Sequence, residues 1–233
     1  MTAAPVSNVT VHPSAEQSGD GIWFAMPAGF TAVPLAALGT PTGSPEAERL
    51  SEALAPILDA APDEESRQKF AATLTAVQHM LRSVYTNGTA HCAVGLHRDD
   101  TASRADLGKS ALLSLFTITW VDTAWAPRAV TAARVLVTAE GHTDIDFAEV
   151  PCGPAAFSET LRTAAAGSGL PAQPLLQVHG HLPHPDGTAI ALLTLSTAAV
   201  RRREQYRAIL RQIARTVTFE DPFGATVGGG GRS

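Results

Sequence analysis

The run 189-AIALLTLSTAAVRRREQYRAILRQIARTVTFEDP-222 decides the architecture. Ile190 to Thr197 is a short apolar stretch with interspersed threonines, the length and composition of a strand covered on at least one face. From Ala198 to Ala214 the period changes. Tyr206, Ile209, Leu210 and Ile213 recur at helical spacing and predict one buried stripe, while Arg203, Arg207, Arg211 and Arg215 step at i, i+4 along another face. Thr216 to Phe219 resumes alternation, and Glu220, Asp221 and Pro222 end it. The predicted unit is strand, helix, strand. On this reading Ile209 and Ile213 bury against the sheet, and truncating Arg207 costs little beyond the packing of its stem.

Working outward, Leu175 to Leu182 and Ile190 to Thr197 flank His184-Pro185-Asp186-Gly187, whose turn chemistry predicts a hairpin. Thr89 to His97 alternates, placing Cys92, Val94 and Leu96 on one face and His91, Ala93 and His97 on the other. Ala111 to Val121 sets Leu112, Phe116, Ile118 and Trp120 on one side. Arg134 to Thr138 and Ile145 to Val150 read as two more strands about Glu140-Gly141, and Pro154 to Ala166 as an amphipathic helix with Phe157 and Leu161 inward. Nearer the N-terminus, Ile22 to Leu35 reads as a hairpin about Pro-Ala-Gly, with Trp23, Phe24, Phe30 and Val33 available to the core. Two tandem helices follow. Ser44 caps the first, with Pro45 at its first position and Leu50, Leu54, Ile57 and Leu58 inward. Phe70, Leu74, Val77, Leu81 and Val84 mark the second, which Asn87-Gly88 stops.

This order predicts an α/β protein of the α+β type: a mostly antiparallel twisted sheet of six or more strands with helices packed on it. One globular domain over 21–222 is expected, between a flexible arm at 1–20 and a Gly-rich tail at 223–233. Its 233 residues, 45% hydrophobic, suffice for a full core. A formal net charge of -5 argues against a general nucleic-acid binder. Cys92 and Cys152 are too few for a disulfide framework, and the default is two reduced thiols. The first twenty residues lack the basic and apolar regions of a signal peptide, and no apolar run has the length of a membrane span, so a cytoplasmic location is expected.

The opening WFAMPAGFTAV (23–33) and the closing IALLTLSTAAVRRREQYRAILRQIARTVTF (190–219) together resemble the Mog1/PsbP-like group of α/β/α sandwich proteins. Those chains open with a Pro-x-Gly-aromatic hairpin and close with strand, amphipathic helix and strand. The resemblance implies a scaffold that works by binding proteins, such as small GTPases, photosystem subunits or secreted effectors. It carries over no catalytic residue and no cofactor.

The residues themselves offer two candidate sites. His179 and His181, at i, i+2, share one face of a strand, the spacing at which two imidazoles can ligate one metal; His184 and Asp186 follow in the turn. A cupin-type pair would also want a glycine six positions before the first histidine and a glutamate soon after the second, where this chain has Gln173 and Asp186. His91 or His97 supplies a third ligand only if their strand lies alongside. The second candidate is the row Arg203, Arg207 and Arg211, whose guanidinium forks suit an acidic peptide or protein surface. Asp99, Asp100 and Asp106 make a charged loop, and Trp120 and Trp125 bracket the short segment Val121-Asp122-Thr123-Ala124. No nucleophile elbow, phosphate-binding loop or dinucleotide fingerprint is present. The expectation is a non-enzymatic adaptor or chaperone-like protein without cofactor, docking another protein on the arginine row, with a metal-dependent enzyme at His179 and His181 as the alternative.

Overall fold

The computed structural model describes residues 15–17, 21–35, 88–98, 111–138, 141–163 and 174–222, with isolated positions between 44 and 68. The inward stripes expected of the tandem helices, the loop of Asp99, Asp100 and Asp106, and the terminal segments 1–14 and 223–233 lie outside the described residues. At the start of the first helix, the Glu48 N–H donates to the Ser44 carbonyl at 3.0 Å, the bond that an N-cap carbonyl accepts.

A seven-stranded antiparallel sheet dominates the molecule. Its strands are β3 (Phe30–Ala32), β4 (Thr89–Arg98), β5 (Ala111–Asp122), β6 (Thr143–Val150), β7 (Gly153–Arg162), β8 (Leu175–Pro183) and β9 (Ala189–Thr197). They lie in the order β3-β4-β5-β9-β8-β7-β6. Helix α1 (Arg128–Thr138) therefore carries the chain from the middle of the sheet to its far edge, and β6 to β9 return as a meander that closes beside β5. A small second sheet pairs β1 (Ala15–Gln17) with β2 (Trp23–Ala25). Thus part of the segment expected to be a flexible arm is paired.

Each face of the main sheet carries one described helix. Helix α2 (Arg203–Ala214) packs on β8, β9 and β2. Its Tyr206, Leu210 and Ile213 are buried, with Ile209 partly so, against a core that includes Phe116, Ile118, Phe157, Leu176, Val178, Leu193 and Leu195. The predicted stripe is the observed one. Helix α1 lies on the opposite face, over β7 and β8, where Ala132 and Leu136 cluster with Ala156.

The hairpin of β8 and β9 forms as expected: the His184 N–H donates to Ala189 O at 2.9 Å, the Asp186 carboxylate accepts from the Thr188 N–H at 2.8 Å, and Gly187 takes φ +76°. Four other expectations are corrected. Residues 153–162 form a strand, with Leu161 exposed, because β6 and β8 hydrogen-bond both of its edges and this pairing overrides the helical leaning of its Ala, Glu and Leu. Arg134 to Thr138 is the end of helix α1, whose Ala132 and Leu136 anchor at i, i+4 and override the β-branched valines. The opening strands do not pair with each other: β2 belongs to the small sheet and β3 to the edge of the large one. Gly29, at φ +88° and tight against the His97 ring, makes that transfer while its carbonyl accepts from the Leu96 N–H at 2.9 Å. The closing strand shrinks to a single bridge, Thr218 to Trp23, with reciprocal backbone bonds of 2.9 Å.

Candidate functional site

Strand alternation places His179 and His181 on the α1 side of the sheet, and the register of β7, β8 and β9 builds a polar surface around them. His179 lies opposite Ser158 on β7 and Thr194 on β9, and His181 opposite Ala156 and Leu192. His142, just before β6, completes a trio of imidazoles. Its ring centroid is 5.0 Å from that of His179 and 5.9 Å from that of His181, and the latter two are 6.1 Å apart.

Hydroxyl groups latch these rings. His179 Nε2 lies 3.2 Å from Thr160 Oγ1 and its Nδ1 3.1 Å from Thr194 Oγ1, so both ring nitrogens have partners. Ser158 Oγ sits 2.7 Å from His142 Nδ1 and 3.4 Å from His181 Nε2. Gln177 extends the network, accepting from Thr160 at 3.4 Å and donating to Ser196 at 3.3 Å. His179, His181, Ser158 and Thr160 are all buried. Burial, followed by the neighbouring imidazoles, lowers the pKa of His179 to about 3 and that of His181 to about 4. Burial, with Arg162 as a second influence, also lowers that of His142. At neutral pH all three rings are therefore uncharged and serve as hydrogen-bond donors and acceptors.

The chemistry open to this cluster is narrow. Ser158 between two imidazoles has the outline of a nucleophile and its base, but among the described residues no carboxylate bonds to either ring to orient it. Nor does any group of three or more His, Cys, Asp or Glu stand, among the described residues, where it could hold a metal ion. The expected third ligands lie elsewhere. His91 and His97 are on β4, separated from β8 by β5 and β9, and they face the α2 side, where Phe24 and Phe30 meet their rings. His184 packs against Trp120 and Phe219, and its Nδ1 meets Asp186 Oδ1 at 3.0 Å. The sequence reading missed His142, Ser158 and Thr160. The alternation of Ser158 and Thr160 with Phe157 and Glu159 is the signal in the sequence, and the preceding Pro-Ala-Ala, which imitates a helix start, hides it.

The arginine row meets the chain's own carboxylates. Glu159, buried on β7, accepts from Arg203 Nη1 at 3.1 Å and from Arg207 Nε at 2.9 Å, with Arg207 Nη2 in ion-pair contact at 2.7 Å. Arg207 also reaches Asp144 at 2.5 Å and Glu204 at 3.1 Å. Arg211 binds Asp146 at 2.7 Å while lying 4.9 Å over the Phe157 ring. The hydrogen bond from Arg207 holds the Asp144 carboxyl below the usual range. The expectation that Arg207 is dispensable is therefore reversed: it neutralises a buried carboxylate.

Exposed apolar side chains concentrate in the chain from the end of β5 to β6. Of the seven large apolar side chains exposed among the described residues, six lie between Val121 and Phe147: Val121, Trp125, Val130, Val137, Ile145 and Phe147. Trp125, 70% exposed, sits on a clamped loop. The Thr123 N–H donates to Thr188 O at 2.8 Å. Arg128 Nε and Nη2 donate to Pro183 O at 3.1 and 2.8 Å, and Nη2 also reaches Cys152 O. A side chain at Gly187 would collide with Ala126 O, so the hairpin turn fits closely under this loop.

Among known proteins, no family model and no curated sequence matches this chain. Among the described residues, no helix is long and apolar enough to cross a membrane.

Proposed function

We propose that this is a non-enzymatic, cytoplasmic adaptor or chaperone-like protein that binds another protein through the exposed apolar segment from Val121 to Phe147. The carrying observation is that six of the seven large apolar side chains exposed among the described residues fall between Val121 and Phe147 in the chain, one of them a tryptophan on a braced loop. Aromatic anchors are over-represented at interaction sites, and one held in place in advance of binding loses little entropy on docking. The likeness of the chain's two ends to Mog1/PsbP-like α/β/α proteins, whose relatives bind proteins, points the same way. The arginine row contributes by bracing β6 and β7, with Arg203 and Arg211 leaving part of their forks for an acidic rim of the partner.

Affinity capture from the native cytoplasm at rising salt tests this reading. Recovery that persists at high salt and is lost with Trp125→Ala supports it, because apolar contacts are not screened. Recovery that collapses with salt and ignores Trp125→Ala contradicts it.

The alternative, metal-dependent chemistry at His179 and His181, would have to displace Thr160 and Thr194 from the two nitrogens of His179, and among the described residues no group of three ligand side chains stands there. Stoichiometric metal retained through dialysis by the parent, and lost in His179→Ala/His181→Ala, would establish it in place of the adaptor.

A further inference from the structure

Among the described residues, strand β6 is the longer of the two edge strands of the sheet. Its outer side has no strand partner among the described residues, and Thr143 through Phe147 are all exposed. The opposite edge, β3, has only three residues. Natural edges are commonly blunted by Pro, Lys or a disrupting bulge. The sequence TDIDFAEV has neither Pro nor Lys. Its one irregularity falls between Thr143 and Asp146, with Asp144 at φ 50°, and from Asp146 to Val150 the register with β7 is continuous.

We infer that β6 pairs antiparallel with β6 of a second copy about a two-fold axis at Asp146, joining two sheets edge to edge. This rests on the Val121 to Phe147 segment being an interaction surface and names the occupant of its β6 part. Self-complementarity selects a second copy over a foreign strand. In that register Ile145 of each chain faces Phe147 of the other, so two apolar cross-strand pairs form on the α1 side from side chains otherwise 47% and 57% exposed. On the α2 side each Asp146 arrives with its own Arg211, and Asp144 with its own Arg207. At the axis the contact runs Arg211, Asp146, Asp146, Arg211, so each of the two facing Asp146 carboxylates arrives with its own cation and their repulsion is reduced. A basic foreign strand would have to compete with these arginines for the same carboxylates.

Sedimentation of the full chain across a dilution series into the micromolar range tests the pairing. The expected mass is twice the 24.3 kDa of one chain, falling to one chain in Ile145→Lys/Phe147→Lys, which keeps a cooperative unfolding transition because both side chains are exposed in the single chain. Opposed residues of an antiparallel pair have Cα atoms about 4.5 to 5.5 Å apart, within disulfide range. Asp146→Cys in a Cys152→Ala background is therefore expected to cross-link two chains on mild oxidation. A monomeric parent overturns the pairing, as does a dimer untouched by the lysine pair or one that fails to cross-link at position 146. None of these results depends on Trp125, so a monomer that still loses captured protein on Trp125→Ala overturns the dimer and leaves the adaptor reading intact.

Discussion

The two faces of the sheet are built on different chemistry. Beneath α2 the contact is apolar, with Leu193, Leu195, Leu176 and Val178 meeting Tyr206, Leu210 and Ile213. On the α1 side, one residue along each strand, the register presents Thr194, Ser196, Gln177, His179, Ser158 and Thr160. The first face is held by area removed from water and tolerates no loss of volume. The second is held by hydrogen bonds that must all be made, since a buried polar group without a partner costs more than a satisfied one contributes.

The comparison breaks most readily at the apolar face. Leu193→Ala or Leu210→Ala is expected to cost about 2 to 5 kcal/mol in denaturant unfolding, because each removes a fully buried side chain from packed surroundings. A cost under about 1 kcal/mol would mean that α2 is not docked as described. Next comes Arg207→Ala, at about 3 kcal/mol, which leaves Glu159 buried with only Arg203. Arg207→Ala/Glu159→Gln should recover part of that loss. If it recovers none, the pair is not the reason for the cost.

The polar face is sharpened by pH. His179 and His181 have folded pKa values near 3 and 4, below the 6.5 of an unfolded chain. The unfolded state therefore binds protons that the folded state refuses, so stability is fully present above about pH 6.5 and falls as pH drops toward those values. Each ring contributes a slope of roughly 1 kcal/mol per pH unit in that window. His179→Gln/His181→Gln should flatten the slope measured between pH 6.5 and 5. An unchanged slope would place the titration elsewhere, with the buried His91 on the apolar face the first suspect. Smaller still is Thr160→Val, about 1 kcal/mol from the lost bond to His179. Val137→Lys, on a side chain 86% exposed, should leave stability unchanged.

Legibility in sequence follows the same division. Strand β9, the α2 stripe and the His-Pro-Asp-Gly turn were readable because one apolar face or one turn geometry dominates each of them. Strand β7 was not. Its Phe157 and Glu159 bury on one side and its Ser158 and Thr160 on the other, so no apolar alternation survives, and Pro154 with two alanines imitates a helix start. Helix α1 was misread at its C-terminal end because Val135 and Val137 carry strand propensity, while Ala132 and Leu136 supply only a thin anchor. His179 and His181 could be placed on one face from their spacing alone. Their partners could not, because His142 and Ser158 reach them through a register that only the folded meander defines.

On the proposed reading, one side of the molecule holds it together and the other engages partners. Affinity capture with two matched variants tests that directly: Trp125→Ala/Val137→Lys on the exposed connection, and Arg203→Ala/Arg211→Ala on the braced row, each with its thermal midpoint recorded. The first is expected to lose the captured protein at an unchanged midpoint, while the second unfolds at lower temperature but retains most of the capture when assayed in its folded range. Capture that survives the first variant and vanishes with the second would contradict it and return the binding surface to the arginine helix.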